Sequence, residues 1–146
     1  MRKLLILILI LFPFFLSVSW KDNSSLVVIV NINNSTDKLT KSEVKLIYLR
    51  KITKRWNSIN KNIIPIDRKD SPEIRKDFLN SVLGMSEDEV ERYFTEQTYK
   101  YEDLPPLQLG SDAEVIDFVG KNIGAIGYVN VNSISSDNSA VKVIYP

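Results

Sequence analysis

The run Leu26-Val27-Val28-Ile29-Val30 constrains this chain more than any other stretch. Five consecutive apolar residues, four of them β-branched, fit a strand buried on both faces, and such strands belong to sheets covered by helices on either side. The segments that follow supply those helices. Thr40 with Glu43 makes a capping box ahead of Val44, Leu46, Ile47 and Leu49, and Ser86 with Glu89 makes another ahead of Val90, Tyr93 and Phe94, in a helix expected to run to about Thr98. Ser111 with Glu114 makes a third ahead of Val115, Phe118 and Val119. Ser71 caps a further helix, with Pro72 at its first position, Ile74, Phe78, Val82 and Leu83 at helical spacing, and Gly84 as its stop. Other strands read at residues 63–66, where Pro65 marks an end or an edge, at 123–129 and at 141–145. Residues 31–38, 99–110 and 132–139 read as loops and turns, the second containing Pro105-Pro106. Alternating strands and helices predict an α/β fold with a mainly parallel or mixed sheet flanked by helices.

Upstream, Arg2 and Lys3 precede the apolar run of residues 4–16, which ends at Ser17-Val18-Ser19. A short positive segment, an apolar stretch and small residues are the pattern of a secretory signal. The apolar run is shorter than the roughly 20 residues that span a bilayer, and Pro13 interrupts it. The expected division is therefore a signal peptide over 1–19, cleaved, and one folded domain over 20–146, with the periplasm as its address. Membrane contact is expected only through the signal segment before cleavage.

The composition closes off several kinds of chemistry. The 146 residues include no Cys and no His. Thiol nucleophiles, Ser-His-Asp triads, zinc sites built on His or Cys, and disulfide staples are all excluded. With 19 basic and 18 acidic residues, the chain carries no surplus of positive charge of the kind nucleic-acid binding needs. No nucleophile–base pair and no placed pair of carboxylates can be named, so the reading is not an enzyme, with no cofactor, no metal site and no catalytic residue. The acidic residues Glu87, Asp88, Glu89 and Glu91 sit where a helix dipole favours them.

The sharpest local feature is the turn from Asp67 to Arg75, which holds Arg68, Lys69, Asp70, Ser71 and Glu73 where a strand passes into a helix. A helix N-terminus with guanidinium groups beside it can hold an anion. The candidate site residues are Arg68, Asp70, Ser71 and Arg75. Against that role, Pro72 removes an N–H donor and Glu73 complements the helix dipole itself, so a structural cap explains the same residues. The basic stretch from Arg50 to Trp56 reads as a solvated segment with Trp56 tucked into the core. Gly124 and Gly127, inside a strand pattern, imply close approach of another backbone, a helix or a ligand.

Taken together, four segments resemble the phosphate-binding proteins of phosphate ABC transporters. Residues 47–56, Ile-Tyr-Leu-Arg-Lys-Ile-Thr-Lys-Arg-Trp, resemble that family's "I-F-x-G-K-I, then W" segment, and Val28-Ile29-Val30-Asn31 the strand before it. Pro65-Ile66-Asp67-Arg68-Lys69-Asp70 resembles the arginine-containing ligand loop, and Ala125-Ile126-Gly127-Tyr128-Val129 the "A-I-G-Y-V" strand, with residues 111–122 as the helix before it. The resemblance covers residues 26–130 and implies one lobe of a type II periplasmic-binding-protein fold, so hinge closure around a ligand within one chain is not expected. It implies an exported solute-binding-like protein whose partners are phosphate or another small anion and a membrane transporter. Arg68 falls on the family arginine and Asp70 on its acidic neighbour. Where the family opens its helix with serine, glycine and threonine, this chain has Pro72, Glu73 and Ile74, which implies a degraded anion site. Arg50 stands where the family has glycine. The alternative is an interaction module that binds no ligand and docks on a membrane sensor or transporter.

Overall fold

The computed structural model describes residues 25–51, 55–69, 72–137 and 139–146. The signal segment and its cleavage point lie outside these residues, as do Asp70 and Ser71. The strand predicted from the β-branched run is β1 (Leu26–Asn31), and every residue in it is buried. It is followed by α1 (Lys41–Tyr48), a short hairpin of β2 (Arg55–Trp56) and β3 (Lys61–Asn62), β4 (Ile64–Arg68) and α2 (Pro72–Phe78). A π-helical turn, Leu79–Leu83, continues α2 until Gly84 ends it at φ 63°. Then come α3 (Glu87–Tyr101), β5 (Leu107–Leu109), α4 (Asp112–Lys121), β6 (Ala125–Asn130) and β7 (Val141–Tyr145).

The sheet order is β5-β4-β6-β1-β7. Strand β4 runs parallel to β5 and β6, whereas β1 runs antiparallel to β6 and β7. The expected flanked sheet therefore takes its mixed form. Side chains of β1 alternate between two cores, as pleating requires. Leu26, Val28 and Val30 pack with Val44, Ile47 and Tyr48 of α1, Phe78 of α2 and Phe94 of α3. Val27 and Ile29 pack on the other side with Val115, Ile116 and Val119 of α4. A continuous apolar run needs cover on both faces, and three helices on one side and one on the other provide it.

Local signals acted largely as read. The boxes at Thr40 and Ser86 form in both directions. The one at Ser111 forms only half: Ser111 Oγ accepts from Glu114 N at 3.2 Å, but the Glu114 carboxylate takes the Gly110 N–H instead, at 2.9 Å. Pro65 is the second residue of β4, opposite Ile126 of β6 and just before the pairing with β5 begins at Ile66, which makes it an end position. Trp56 is buried, and its indole N–H donates to Gly124 O at 2.9 Å. The hairpin around Trp56 and strand β5 fall in segments read as irregular, and α3 runs to Tyr101. Strands of two or three residues are too short to show a period in sequence.

The two strand glycines have protein neighbours. A Cβ on Gly124 would collide with the carbonyl oxygen of Asn62 in β3. A Cβ on Gly127 would lie 2.5 Å from Val115 Cγ1, so glycine there lets α4 lie flat on β6.

Candidate functional site

In β4, successive side chains point to opposite faces, and its last two residues begin two different constructions. Arg68 turns toward α4. It is 1% exposed. Its Nη1 pairs with the carboxylate of Asp112, the first residue of α4, and its Nη2 donates to Gly110 O at 3.0 Å. Asp112 is held in turn from the far side: its Oδ2 accepts from Asn130 N at 3.0 Å and from Ser133 Oγ at 2.6 Å. Burial pulls the Asp112 carboxyl upward, but hydrogen bonds from Ser133, Arg68 and Asn130 outweigh it and hold the group below the usual carboxylate range.

Asp67 turns toward α2. Its Oδ1 accepts from Tyr128 OH at 2.6 Å and from Arg68 N at 2.8 Å, and its Oδ2 accepts from Arg75 Nε at 3.0 Å. Arg75 also pairs with Glu87 at the start of α3. Burial opposes the Arg75 charge, yet Asp67 and Glu87 raise its pKa above the ordinary arginine value. Burial and the neighbouring Asp67 push the Tyr128 hydroxyl far up, so it is a permanent donor to Asp67. The ring of Tyr128 stacks on Phe78 with centroids 4.0 Å apart, and Tyr48 closes the cluster.

The C-terminal ends of β4 and β6, with the starts of α2 and α4, enclose a groove of about 670 Å³. Arg68, Glu73, Ile74, Asp77, Asp112 and Asn130 line it. This is where a flanked α/β sheet presents ligand sites. Among the described residues, one buried guanidinium therefore shares the groove with three carboxylates and with Ser25 and Ser111. Of the residues singled out in sequence, Arg68 lines this groove, Arg75 lies on the other face of β4, and Asp70 and Ser71 lie outside the described residues. Asp67, the centre of the network on the α2 side, carried no sequence signal beyond its place next to Arg68. Its partners Arg75, Gln108 and Tyr128 are 8, 41 and 61 residues away. Among the described residues, no cluster of three acidic side chains is placed to hold a metal ion.

No family model matches the chain, and no curated protein is similar enough to count as a match. The solved structures do match. An ABC-type phosphate transport receptor from Vibrio cholerae superposes on 82% of the chain with a TM-score of 0.62 and 25% identity. The fold is that of one lobe of a phosphate-transport substrate-binding protein. A putative phosphate ABC transporter substrate-binding protein from Clostridium perfringens, with bound phosphate, matches over the same 82% with a TM-score of 0.62 and 23% identity. PstS from Borrelia burgdorferi matches with a TM-score of 0.58 and 18% identity. The chain spans less than half the length of each: 44%, 43% and 46%.

One residue ties the fold to the sequence resemblance. Arg50, which the resemblance sets at a glycine position, has φ 58°, the left-handed region that glycine adopts without strain. Arg50 Nη1 donates to Ile63 O at 3.2 Å.

Proposed function

We propose that this chain is an exported lobe of the phosphate-binding type with a degraded anion site, which takes small oxyanions weakly or in an altered mode. Arg68 carries the reading. It stands at the strand end where an anion would be gripped, but Asp112 and Gly110 O already hold its guanidinium fork. A phosphate entering the groove has to displace or share Asp112, and it meets Glu73 and Asp77 as well. A buried oxyanion needs several donors at once, and like charges nearby oppose it. In this reading Arg68, Asp70 and Ser71 contact the solute, while Arg75 steadies the strand end through Asp67. The export signal over residues 1–19 places the folded domain over 20–146 in the periplasm, beside a membrane transporter. A non-enzymatic role is in keeping with the transport receptor and substrate-binding proteins that share the fold.

The test is a thermal-shift titration with phosphate and sulfate on the natural chain and on Asp112→Asn. A ligand that binds only the folded state stabilises it by about 2.7 kcal/mol at a hundredfold excess over Kd. The natural chain should shift only at millimolar anion, and Asp112→Asn at lower concentrations. The three carboxylates of the groove favour one other reading, a lobe that binds no solute and docks on a membrane sensor or transporter. No shift in either protein at millimolar anion would favour that reading and sink the first.

A further inference from the structure

The opposite end of the same strands has the reverse electrostatic character. There the β2–β3 hairpin, the start of β4 and the end of α4 enclose a second groove, of about 440 Å³. Arg55, Lys61 and Lys121 line it, together with Asn60, Asn62 and Asn122, and no carboxylate does among the described residues. In the linear sequence these three cations are scattered over 67 positions, from 55 to 121. The fold gathers them. Lys121 pairs with Asp117 one helical turn away, an exposed contact that neutralises little.

The hairpin that presents two of the cations is firmly seated. Trp56 anchors it in the core and donates to Gly124 O, Gly124 leaves no space between the hairpin and the start of β6, and Arg50 grips Ile63 O just after β3. Arg55 Nε donates to Asn62 Oδ1 across the hairpin at 3.2 Å, which fixes the root of the guanidinium. A charge held in place loses less entropy on binding than one on a mobile loop.

We propose that this groove is a docking surface for an acidic polypeptide segment of a partner protein. Three cations match a run of carboxylates, and the guanidinium fork suits a carboxylate in particular. The asparagine amides both donate and accept, as a peptide backbone requires. Two other anionic partners fit less well. A membrane surface calls for apolar side chains that enter the interface, and none of the large exposed apolar residues, such as Tyr99, Leu104 or Val143, lines the groove. Single-stranded nucleic acid calls for an exposed aromatic platform, and the aromatic ring of the hairpin, Trp56, is buried. Docking here leaves the Arg68 groove open at the other end of β4 and β6, so the two sites are independent and either can fail alone.

The experiment is fluorescence polarisation of a labelled hexaglutamate peptide titrated with the full chain, with hexaglutamine as the uncharged control. The triple variant Arg55→Glu, Lys61→Glu, Lys121→Glu should weaken hexaglutamate binding by about tenfold or more. The triple variant Lys41→Glu, Lys76→Glu, Lys100→Glu makes the same change in net charge elsewhere and should change it less than about twofold. Circular dichroism melts confirm that both fold; if the first does not, Lys61→Ala with Lys121→Ala replaces it. The proposal is overturned by no binding to the natural chain, by equal weakening in both triple variants, or by tighter binding to phosphatidylglycerol vesicles or single-stranded DNA than to the peptide through the same three residues.

Discussion

The last two residues of β4 place charge on opposite faces of one sheet, with different outcomes. On the α2 face, Asp67 accepts from the Tyr128 hydroxyl, the Arg75 guanidinium and the Arg68 N–H beside the stacked rings of Phe78 and Tyr128, at the edge of a groove of about 1060 Å³ between α2, α3 and β5. On the α4 face, Arg68 meets Asp112 at the floor of an open groove. Both borders are open to a groove, so the difference lies in the partners: Asp67 is held by three donors, whereas Arg68 is buried and its carboxylate partner, Asp112, is partly exposed. A carboxylate held by three donors serves the fold even where a groove opens beside it, whereas a guanidinium paired with a partly exposed carboxylate can change partners. The comparison separates a structural centre from a candidate site only one peptide bond apart.

The largest test of that contrast is Asp67→Ala. It strips Tyr128 of its acceptor while Arg75 keeps Glu87, and should cost about 1.5–3 kcal/mol, the range for hydrogen bonds to a charged group. Urea unfolding would measure it; a loss below about 1 kcal/mol would mean that the network is not structural. Next is Gly127→Ala, which pushes α4 off β6 at Val115 and should cost about 1–3 kcal/mol by overpacking. Because α4 carries Asp112, which occupies Arg68, the same variant should also move the anion response toward lower concentrations, in the direction of Asp112→Asn, which thermal shift would show.

A smaller effect follows from the depressed Asp112 carboxyl. Its stabilising contribution is complete above the unfolded carboxylate value near 3.8 and is lost as pH falls toward the lower folded value. Unfolding free energies between about pH 5 and 2 should fall less steeply in Asp112→Asn than in the natural chain. Parallel curves would remove Asp112 from the pair with Arg68. The smallest effect, and a control outside both regions, is Arg50→Gly. Relief of left-handed strain and loss of the bond to Ile63 O are each about 1 kcal/mol and opposed. The net change in unfolding midpoint should be slight, and a large loss would mean that Arg50 does more than hold the turn.

Much of the architecture was legible because its signals are local. The β-branched run named a strand covered on both faces, the Thr40 and Ser86 boxes fixed two helix starts, and Gly84 fixed a stop. Each depends on residues within a few positions of one another, where backbone sterics and capping bonds act. The antiparallel setting of β1 was not legible, because a strand buried on both faces looks the same whichever way its neighbours run. Strand β5 and the hairpin of β2 and β3 are too short to carry a period.

For the candidate site the division is sharper. Residue chemistry alone marked Arg68, at a strand-to-helix turn, and the same reasoning ruled out catalysis by thiols or histidines. Whether Arg68 is available to a solute depends on Asp112, 44 residues away, and on how closely Gly127 lets α4 approach the sheet. Charge pairing across that distance leaves no spacing rule in a chain, since the separation is set by how many residues the intervening elements use. The sequence determined which elements form and which residue types could do chemistry; the packing of α4 against β6 decided which charges meet.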